Sequence, residues 1–270
     1  MQAAQQQLQA LYVTWQEPNS REYFPVGRLV SGLRPDQPNY EFCYLRGVAQ
    51  AEQFGFQPFP SFPVLDRAYR ADELFPMFQN RVMSSGRADY RQYISNLALD
   101  PPNDDAITIL ARSGGGRTTD SVEMFEVPRF IREVNSYRTH FLAHDLGYLL
   151  HPLTQQRISE LKPEDRLMLM CDFQNDADHR AMALRSGDGF IVGYMPRYLV
   201  GDEASFGDDG EAVHCFVAQV NPPSAPLQQR LLCRLEAGWA TYFQRFASDI
   251  YQPIPADATD LRHWSLFPQD

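Results

Sequence analysis

The chain has very little lysine, no long hydrophobic run and no paired cysteine motif, and each absence narrows its function. Arginine supplies nearly all of the 24 basic residues, which face 34 acidic residues, so the formal net charge is −10 at pH 7. Nonspecific nucleic-acid binding depends on neutralisation of phosphates by basic side chains. Any affinity for DNA must therefore come from a local pocket lined by arginine, the better side chain for bidentate phosphate contacts.

The absence of a long apolar run and the isolated positions of the cysteines indicate the cellular compartment of the chain. No segment approaches the length of a membrane span, and no basic stretch leads into an apolar run at the N-terminus, so we expect no membrane contact and no secretory signal. Cys43, Cys171, Cys215 and Cys233 each lie in apolar sequence without a CxxC or Cys/His spacing. They predict buried free thiols in a reducing cytoplasm, with no metal and no cofactor.

The length of 270 residues predicts two domains, since it exceeds a comfortable single core. In the first half, alternating apolar residues and short apolar runs predict strands at 11–15, 23–30, 40–44, 107–111 and 122–127. Asp72 is the expected N-cap of a helix that carries Phe75, Phe78 and Val82 on one face, and a second helix from Arg87 completes a helical hairpin. The glycine-rich segment 113–117 is expected to be a mobile hairpin loop.

The most informative stretch runs from Asp172 to Arg197. Asn175, Asp176 and Asp178 favour a turn, since their side chains bond to nearby backbone groups. Residues 181–184 and 191–194 predict two strands, joined by a tight turn at 187–189, and Pro196 favours the start of a helix. Further strands are predicted within 138–150, 167–171 and 213–217, and a long helix with a broad apolar stripe is predicted at 227–246.

This arrangement of polar loop, strand, hairpin, strand and Pro-started helix resembles the core signature of a HIRAN domain. The resemblance implies a small OB-like β-barrel, which in the best-known members of the family grips the free 3′ end of single-stranded DNA. It also implies a binding role for Tyr148, Asn175, Asp178, Tyr194 and Arg197. Tyr148 or Tyr194 would stack on the terminal base and Arg197 would contact phosphate, while Asn175 and Asp178 shape the pocket or hold only the loop.

Two positions depart from the pattern of the DNA-binding members. Ala177 stands where those members place an aromatic residue between the loop Asn and Asp, and Gly147 stands where an arginine precedes the first-strand aromatic. Two contacts expected from the family are therefore missing.

The first half resembles the N-terminal subdomain of HipA-type toxin kinases over residues 11–99. The residues that carry this resemblance are Tyr40-Glu-Phe-Cys-Tyr44, Ser61-Phe-Pro63 and Leu74-Phe-Pro-Met-Phe-Gln-Asn-Arg81. In those kinases the subdomain supports the fold and contacts a partner, and catalysis belongs to a separate kinase body. The resemblance implies a docking domain without kinase activity.

Motifs of catalysis are absent from the sequence. The triple glycine lacks the lysine and spacing of a phosphate-binding P-loop. His140 and His144 have no Glu between them in the zincin arrangement, and no Gly-x-Ser-x-Gly elbow occurs. The acidic residues Asp172, Asp176 and Asp178 lack a metal pattern and are explained by turns. We therefore expect no enzymatic activity, and a metal-dependent hydrolase is the remotest alternative.

The sequence thus predicts an α+β protein with a HipA-N-like docking domain at 1–127, an OB-like HIRAN barrel with flanking helices at 128–250 and a tail at 251–270. Two functions stay open. The first is a non-catalytic module that recognises single-stranded or 3′ DNA ends beside a partner nuclease, helicase or toxin system, and the second is a protein–protein adaptor without nucleic-acid binding. Arginines clustered around Tyr194 and Arg197 would favour DNA, whereas an acidic or apolar pocket there would favour the adaptor.

Overall fold

The chain divides into two compact units, each made of more than one segment. The computed structural model describes residues 9–32, 38–100, 105–117, 119–127, 130–131, 136–146, 151–176, 178–200, 213–238, 246 and 248–260. The first unit comprises Met1–Ser84, Asp105–Val127 and Phe246–Asp270, and the second comprises Ser85–Asp104 and Pro128–Arg245. The units are therefore discontinuous in sequence, unlike the continuous ranges into which the sequence analysis divides the chain.

The secondary structure consists of many strands and a few short helices, as expected for an α+β protein. The strands are β1 (Gln9–Gln16), β2 (Tyr23–Ser31), β3 (Tyr40–Tyr44), β4 (Tyr69–Ala71), β5 (Val122–Glu126), β6 (Phe130–Ile131), β7 (Ser136–Leu142), β8 (Arg166–Asp172), β9 (Ala181–Arg185), β10 (Ile191–Tyr194), β11 (His214–Val220) and β12 (Leu231–Gly238). The α-helices are α1 (Val48–Ala51), α2 (Pro76–Gln79), α3 (Tyr90–Asn96), α4 (Ala106–Ser113) and α5 (Pro152–Glu160). Short 3-10 turns lie at Glu52–Phe54, Arg197–Leu199, Leu227–Gln229 and Asp249–Tyr251. Within the described residues, no helix is long and apolar enough to cross a membrane.

The first unit contains an antiparallel five-stranded sheet in the order β4-β3-β2-β1-β5. Strands β1, β2, β3 and β5 are confirmed where the sequence predicts them. An aromatic core packs against the sheet, with the Phe42 and Phe62 ring centroids 4.2 Å apart. The buried Tyr44 hydroxyl donates to the Phe62 carbonyl at 2.8 Å and accepts from the Phe59 amide at 2.7 Å, so the Pro- and Phe-rich link is held without regular structure.

Several predictions for the helices of this half are wrong. Residues 107–111 form helix α4 rather than a strand, because the Asp105 carboxylate caps it by accepting from the amides of Ile107 and Thr108. The helix expected after Asp72 is the short α2, which begins at Pro76, and Asp72 does not cap it. The predicted helical hairpin is also not one element, since α2 belongs to the first unit and α3 to the second.

The glycine-rich segment is the C-terminal cap of α4 and not a hairpin loop between two strands. Gly114 and Gly115 have φ of 75° and 60°, which favour glycine. Arg81 donates to the Gly115 carbonyl at 2.9 Å and pairs with Asp120 at 2.6 Å. A buried arginine therefore holds this segment where a phosphate cradle would leave its backbone open.

The second unit contains an antiparallel seven-stranded sheet in the order β10-β9-β8-β11-β12-β7-β6. The predicted hairpin is confirmed, with Ile191 opposite Arg185 and Tyr194 opposite Ala183, and strands β8 and β11 lie where they are predicted. Pro196 precedes a single 3-10 turn rather than a longer helix.

The long helix predicted at 227–246 is wrong over its described first half. A 3-10 turn at Leu227–Gln229 is followed by strand β12, while 239–245 lie outside the described residues. Cys233 and Leu235 face inward and Arg234 and Glu236 are partly exposed. The segment adopts the two-residue period of a strand, and not the helical period, because β12 pairs along its length with β7 and also pairs with β11.

The second sheet has two free ends, β10 and β6, so no closed barrel is formed by the described residues. An isolated bridge nevertheless joins the segment after β7 to β10. The His144 amide donates to the Tyr194 carbonyl at 2.9 Å, and the Tyr194 amide donates to the His144 carbonyl at 3.1 Å. The sheet thus curls far enough for the segment that follows β7 to contact β10.

This bridge depends on a glycine, which yields a stability prediction. A Cβ on Gly193, whose φ is +157°, would lie 2.8 Å from the Ala143 Cβ, whereas nothing lies within 4 Å of a Cβ on Gly187. We expect Gly193→Ala to lower the free energy of unfolding by about 1–3 kcal/mol through overpacking, measured by urea denaturation. The matched variant Gly187→Ala should change it little, and equal stabilities of the two variants would contradict the close approach.

Candidate binding site

The loop between β8 and β9 is fixed by its own polar side chains, as the sequence predicts. The Asp178 amide donates to the Asn175 side-chain oxygen at 3.0 Å, and the Arg180 amide donates to the Asp178 carboxylate at 2.9 Å. At the start of the loop, the Gln174 amide donates to the Asp172 carboxylate at 3.2 Å. Asn175 and Asp178 therefore hold the loop, whatever else they bind.

Tyr194 lies at the end of β10 and reaches the start of this loop. Its hydroxyl donates to the Asp172 carboxylate at 2.9 Å. Partial burial raises the pKa of the Tyr194 phenol above its usual 10.0, and the hydrogen bond and negative charge of Asp172 raise it further. Asp145 acts in the same direction, and a hydrogen bond with Asn175 acts in the opposite one.

Arg197 begins the 3-10 turn after β10 and is already engaged. Its side chain is 13% exposed, and its Nε lies 3.3 Å from the Asp178 carboxylate. Its Nη1 donates to the Arg180 carbonyl at 3.4 Å. The guanidinium therefore ties this turn to the β8–β9 loop and is not aimed at solvent.

The structure brings four of the five predicted residues together, namely Asn175, Asp178, Tyr194 and Arg197. Tyr148 lies outside the described residues, as do Gly147 and Ala177. The residue that sequence reasoning left out of the site is Asp172. Tyr194 and Met170 both pair with Ala183, so the register places Asp172, two residues beyond Met170, on the face of Tyr194.

The electrostatics of this cluster are acidic. Asp172 and Asp145 both act on Tyr194, and the Arg197 guanidinium is paired with Asp178. A phosphate would meet this negative charge and would have to displace Asp178 from Arg197. Among the described residues, no three His, Cys, Asp or Glu side chains form a group that could hold a metal ion. The arrangement suits hydrogen-bond acceptance better than anion binding.

A second surface lies on β8 beside this cluster. Met168 and Met170 are each 40% exposed, and Phe173, just beyond the strand, is 75% exposed. Arg166 is exposed on the same face, and Arg185 lies opposite Met168 on β9. Within the described residues, neither arginine forms an ion pair. We call these five residues the β8 surface.

Comparison with known proteins places the chain in no family. No protein-family model matches it, and no curated protein matches it. A solved structure of a structural-genomics target from Lactobacillus plantarum is similar at 17% sequence identity and a TM-score of 0.29, over 38% of this chain and 90% of that chain.

The bond between Tyr194 and Asp172 predicts a measurable contribution to stability. Tyr194→Phe removes the donor to a half-buried carboxylate, so the free energy of unfolding should fall by about 1.5–3 kcal/mol, the range for a hydrogen bond to a charged group. Urea denaturation of wild type, Tyr194→Phe, Asp172→Asn and the double variant gives the coupling between the two side chains. Additive effects of the two single changes would contradict a direct bond.

The raised pKa of Tyr194 predicts a loss of stability in alkali. Because the phenol titrates above its usual 10.0 in the folded chain, its contribution is present below that pH and is lost as the pH rises through the folded-state pKa. The stability difference between wild type and Tyr194→Phe should therefore shrink in that alkaline range. A difference that stays constant there would show that the phenol is not held by Asp172.

Proposed function

We propose that the chain is a non-catalytic adaptor whose second unit binds another protein. The proposal rests on the acidic cluster around Tyr194, whose side chains already form hydrogen bonds and an ion pair within the cluster. The guanidinium of Arg197, which the DNA interpretation needs for phosphate, is paired with Asp178 and is largely buried. The exposed apolar side chains of the β8 surface are typical of a protein contact.

The finer fold and the setting belong to the same proposal. An OB-like barrel of the HIRAN kind is supported by the His144–Tyr194 bridge, which joins the segment after β7 to β10. The HipA-like resemblance of the first half supports a docking role for the first unit. Buried Cys43, Cys215 and Cys233 support a reducing, cytoplasmic setting, and burial raises the pKa of the Cys43 thiol to about 11, which keeps it unreactive.

Recognition of a single-stranded DNA 3′ end is the second candidate. It is favoured by one observation, the ring of Phe173, which is 75% exposed beyond the end of β8 while Arg166 is exposed at the start of the same strand. Exposed aromatic rings stack on bases, and cations along the same surface neutralise phosphates.

DNA binding separates the two candidates. For the adaptor we expect no measurable binding of a single-stranded oligonucleotide at low salt, where phosphate contacts are strongest, by fluorescence anisotropy. Oligonucleotides with a free and a blocked 3′ hydroxyl should behave alike. Binding that needs the free hydroxyl and is weakened by ~1–3 kcal/mol in Arg197→Ala would overturn the adaptor and establish the DNA module.

A positive test uses photocrosslinking from the β8 surface in the source cell. A benzophenone amino acid at Phe173 should crosslink one discrete protein. The matched control places the same group at Leu153, which is 56% exposed on α5 of the same unit. Identical crosslinked species from both positions would contradict a specific docking surface.

A further inference from the structure

Strand β8 has a backbone edge that the described part of the chain leaves open over most of its length. It pairs with β9 from Met168 to Asp172, but with β11 only at Arg166 and Leu167. Among the described residues, no strand pairs with the other edge of Met168–Asp172. Unpaired N–H and C=O groups in such a row are a template for another strand.

The inward side of this segment is incompletely covered. Leu167, Leu169 and Cys171 alternate on the face directed at the core. Leu167 is buried, whereas Leu169 and Cys171 are only half-buried. On the neighbouring strand, Leu184, which pairs with Leu169, is fully buried. Coverage therefore falls off towards the open edge, and an apolar side chain from an added strand would complete it.

The outward side of this segment indicates which charge an added strand should carry. Met168 and Met170 offer flexible thioether side chains, which adapt to varied apolar partners. Arg166 and Arg185 flank them without an ion pair among the described residues. Carboxylates on the occupant would supply the missing charge complementarity.

We propose that the open edge of β8 receives a β-strand from a partner protein, in a segment that alternates apolar and acidic side chains. The inference rests on the proposed adaptor function and names the kind of partner. Main-chain hydrogen bonds give such an added strand its affinity, and alternate side chains give it specificity. A single-stranded nucleic acid fits the edge less well, because it has no alternating amide donors and carbonyl acceptors to pair with the backbone.

The test uses defined peptides and the full chain. The probe is a fluorescent, end-capped peptide of about ten residues that alternates valine and glutamate, longer than a typical strand of about five or six. A valine–lysine peptide of the same length and a single-stranded oligothymidylate are the comparison ligands. We expect the valine–glutamate peptide to bind at least roughly tenfold more tightly than either, a difference that charge complementarity and strand pairing can supply.

Backbone methylation tests strand addition itself. A strand presents the amides of alternate residues to one edge. Methylating the nitrogens of all glutamates, or of all valines, removes the donors of one edge each. One methylated peptide should therefore lose binding and the other should keep most of it. Equal affinity of both methylated peptides with the parent would overturn strand addition.

Variants of the chain locate the contact. Arg166→Glu/Arg185→Glu should weaken binding of the valine–glutamate peptide roughly tenfold or more, and Met168→Gln/Met170→Gln should weaken it as well. The charge-matched control is Arg21→Glu/Arg91→Glu, at two exposed arginines elsewhere, and the apolar control is Leu153→Gln. Circular dichroism of each variant checks that it folds, so that a loss of binding reports on the contact.

The other outcomes of these binding experiments decide between the strand proposal and the adaptor function. Preferred binding of the oligothymidylate, lost in Arg166→Glu/Arg185→Glu, would overturn strand addition and the adaptor together. Absence of peptide binding, or equal binding in the controls and the β8 variants, would overturn the strand proposal alone. In that second case a discrete crosslink from Phe173 would leave the adaptor function standing, so the two failures are distinguishable.

Discussion

Tyr194 holds the second unit together at the point where its sheet curls back on itself. Its amide and carbonyl pair with His144, which joins β10 to the segment after β7. Its hydroxyl bonds to Asp172, which joins β10 to the end of β8. One residue thus fixes the closest approach between the two sides of the sheet and the start of the β8–β9 loop. The close contact of Gly193 with Ala143 allows this geometry.

The same bonds decide what the cluster can bind. Asp172 is committed to Tyr194, and Asp178 to the loop backbone and Arg197. Those of the residues assigned to a DNA end by the HIRAN resemblance that the structure describes are therefore already engaged in internal bonds. A ligand that binds this cluster must replace these internal bonds, and breaking them costs free energy. Binding at a surface whose side chains are solvated does not carry that cost. The β8 surface has no such cost, since its apolar side chains and Arg166 are exposed.

The sequence was most informative where structure is decided locally. The turn around Asn175 and Asp178, and the hairpin at Gly187–Gly189, follow from side-chain-to-backbone bonds and from the freedom of glycine. The strand predicted at 107–111 is wrong because a short apolar run fits strand and helix alike, and the Asp105 cap decides between them. In the segment that contains β12, Leu227, Leu231 and Leu235 match helical spacing, while Cys233 and Leu235 also alternate with charged residues. Pairing with β7 and β11 decides between the two patterns, and a single sequence does not contain that register. Asp172 was missed for the same reason, since its contact with Tyr194 depends on three strands in register.

Hydrogen exchange at β8 tests most directly whether this strand is an open edge in the free chain. Amides between Met168 and Asp172 that face β9 should be protected, and the alternate amides that face the open edge should exchange rapidly. Amides of β9, which is paired on both sides, should be protected throughout. Uniform protection from Met168 to Asp172 in the isolated chain would mean that the edge is already covered, and would contradict the account of β8 as the place where a partner docks.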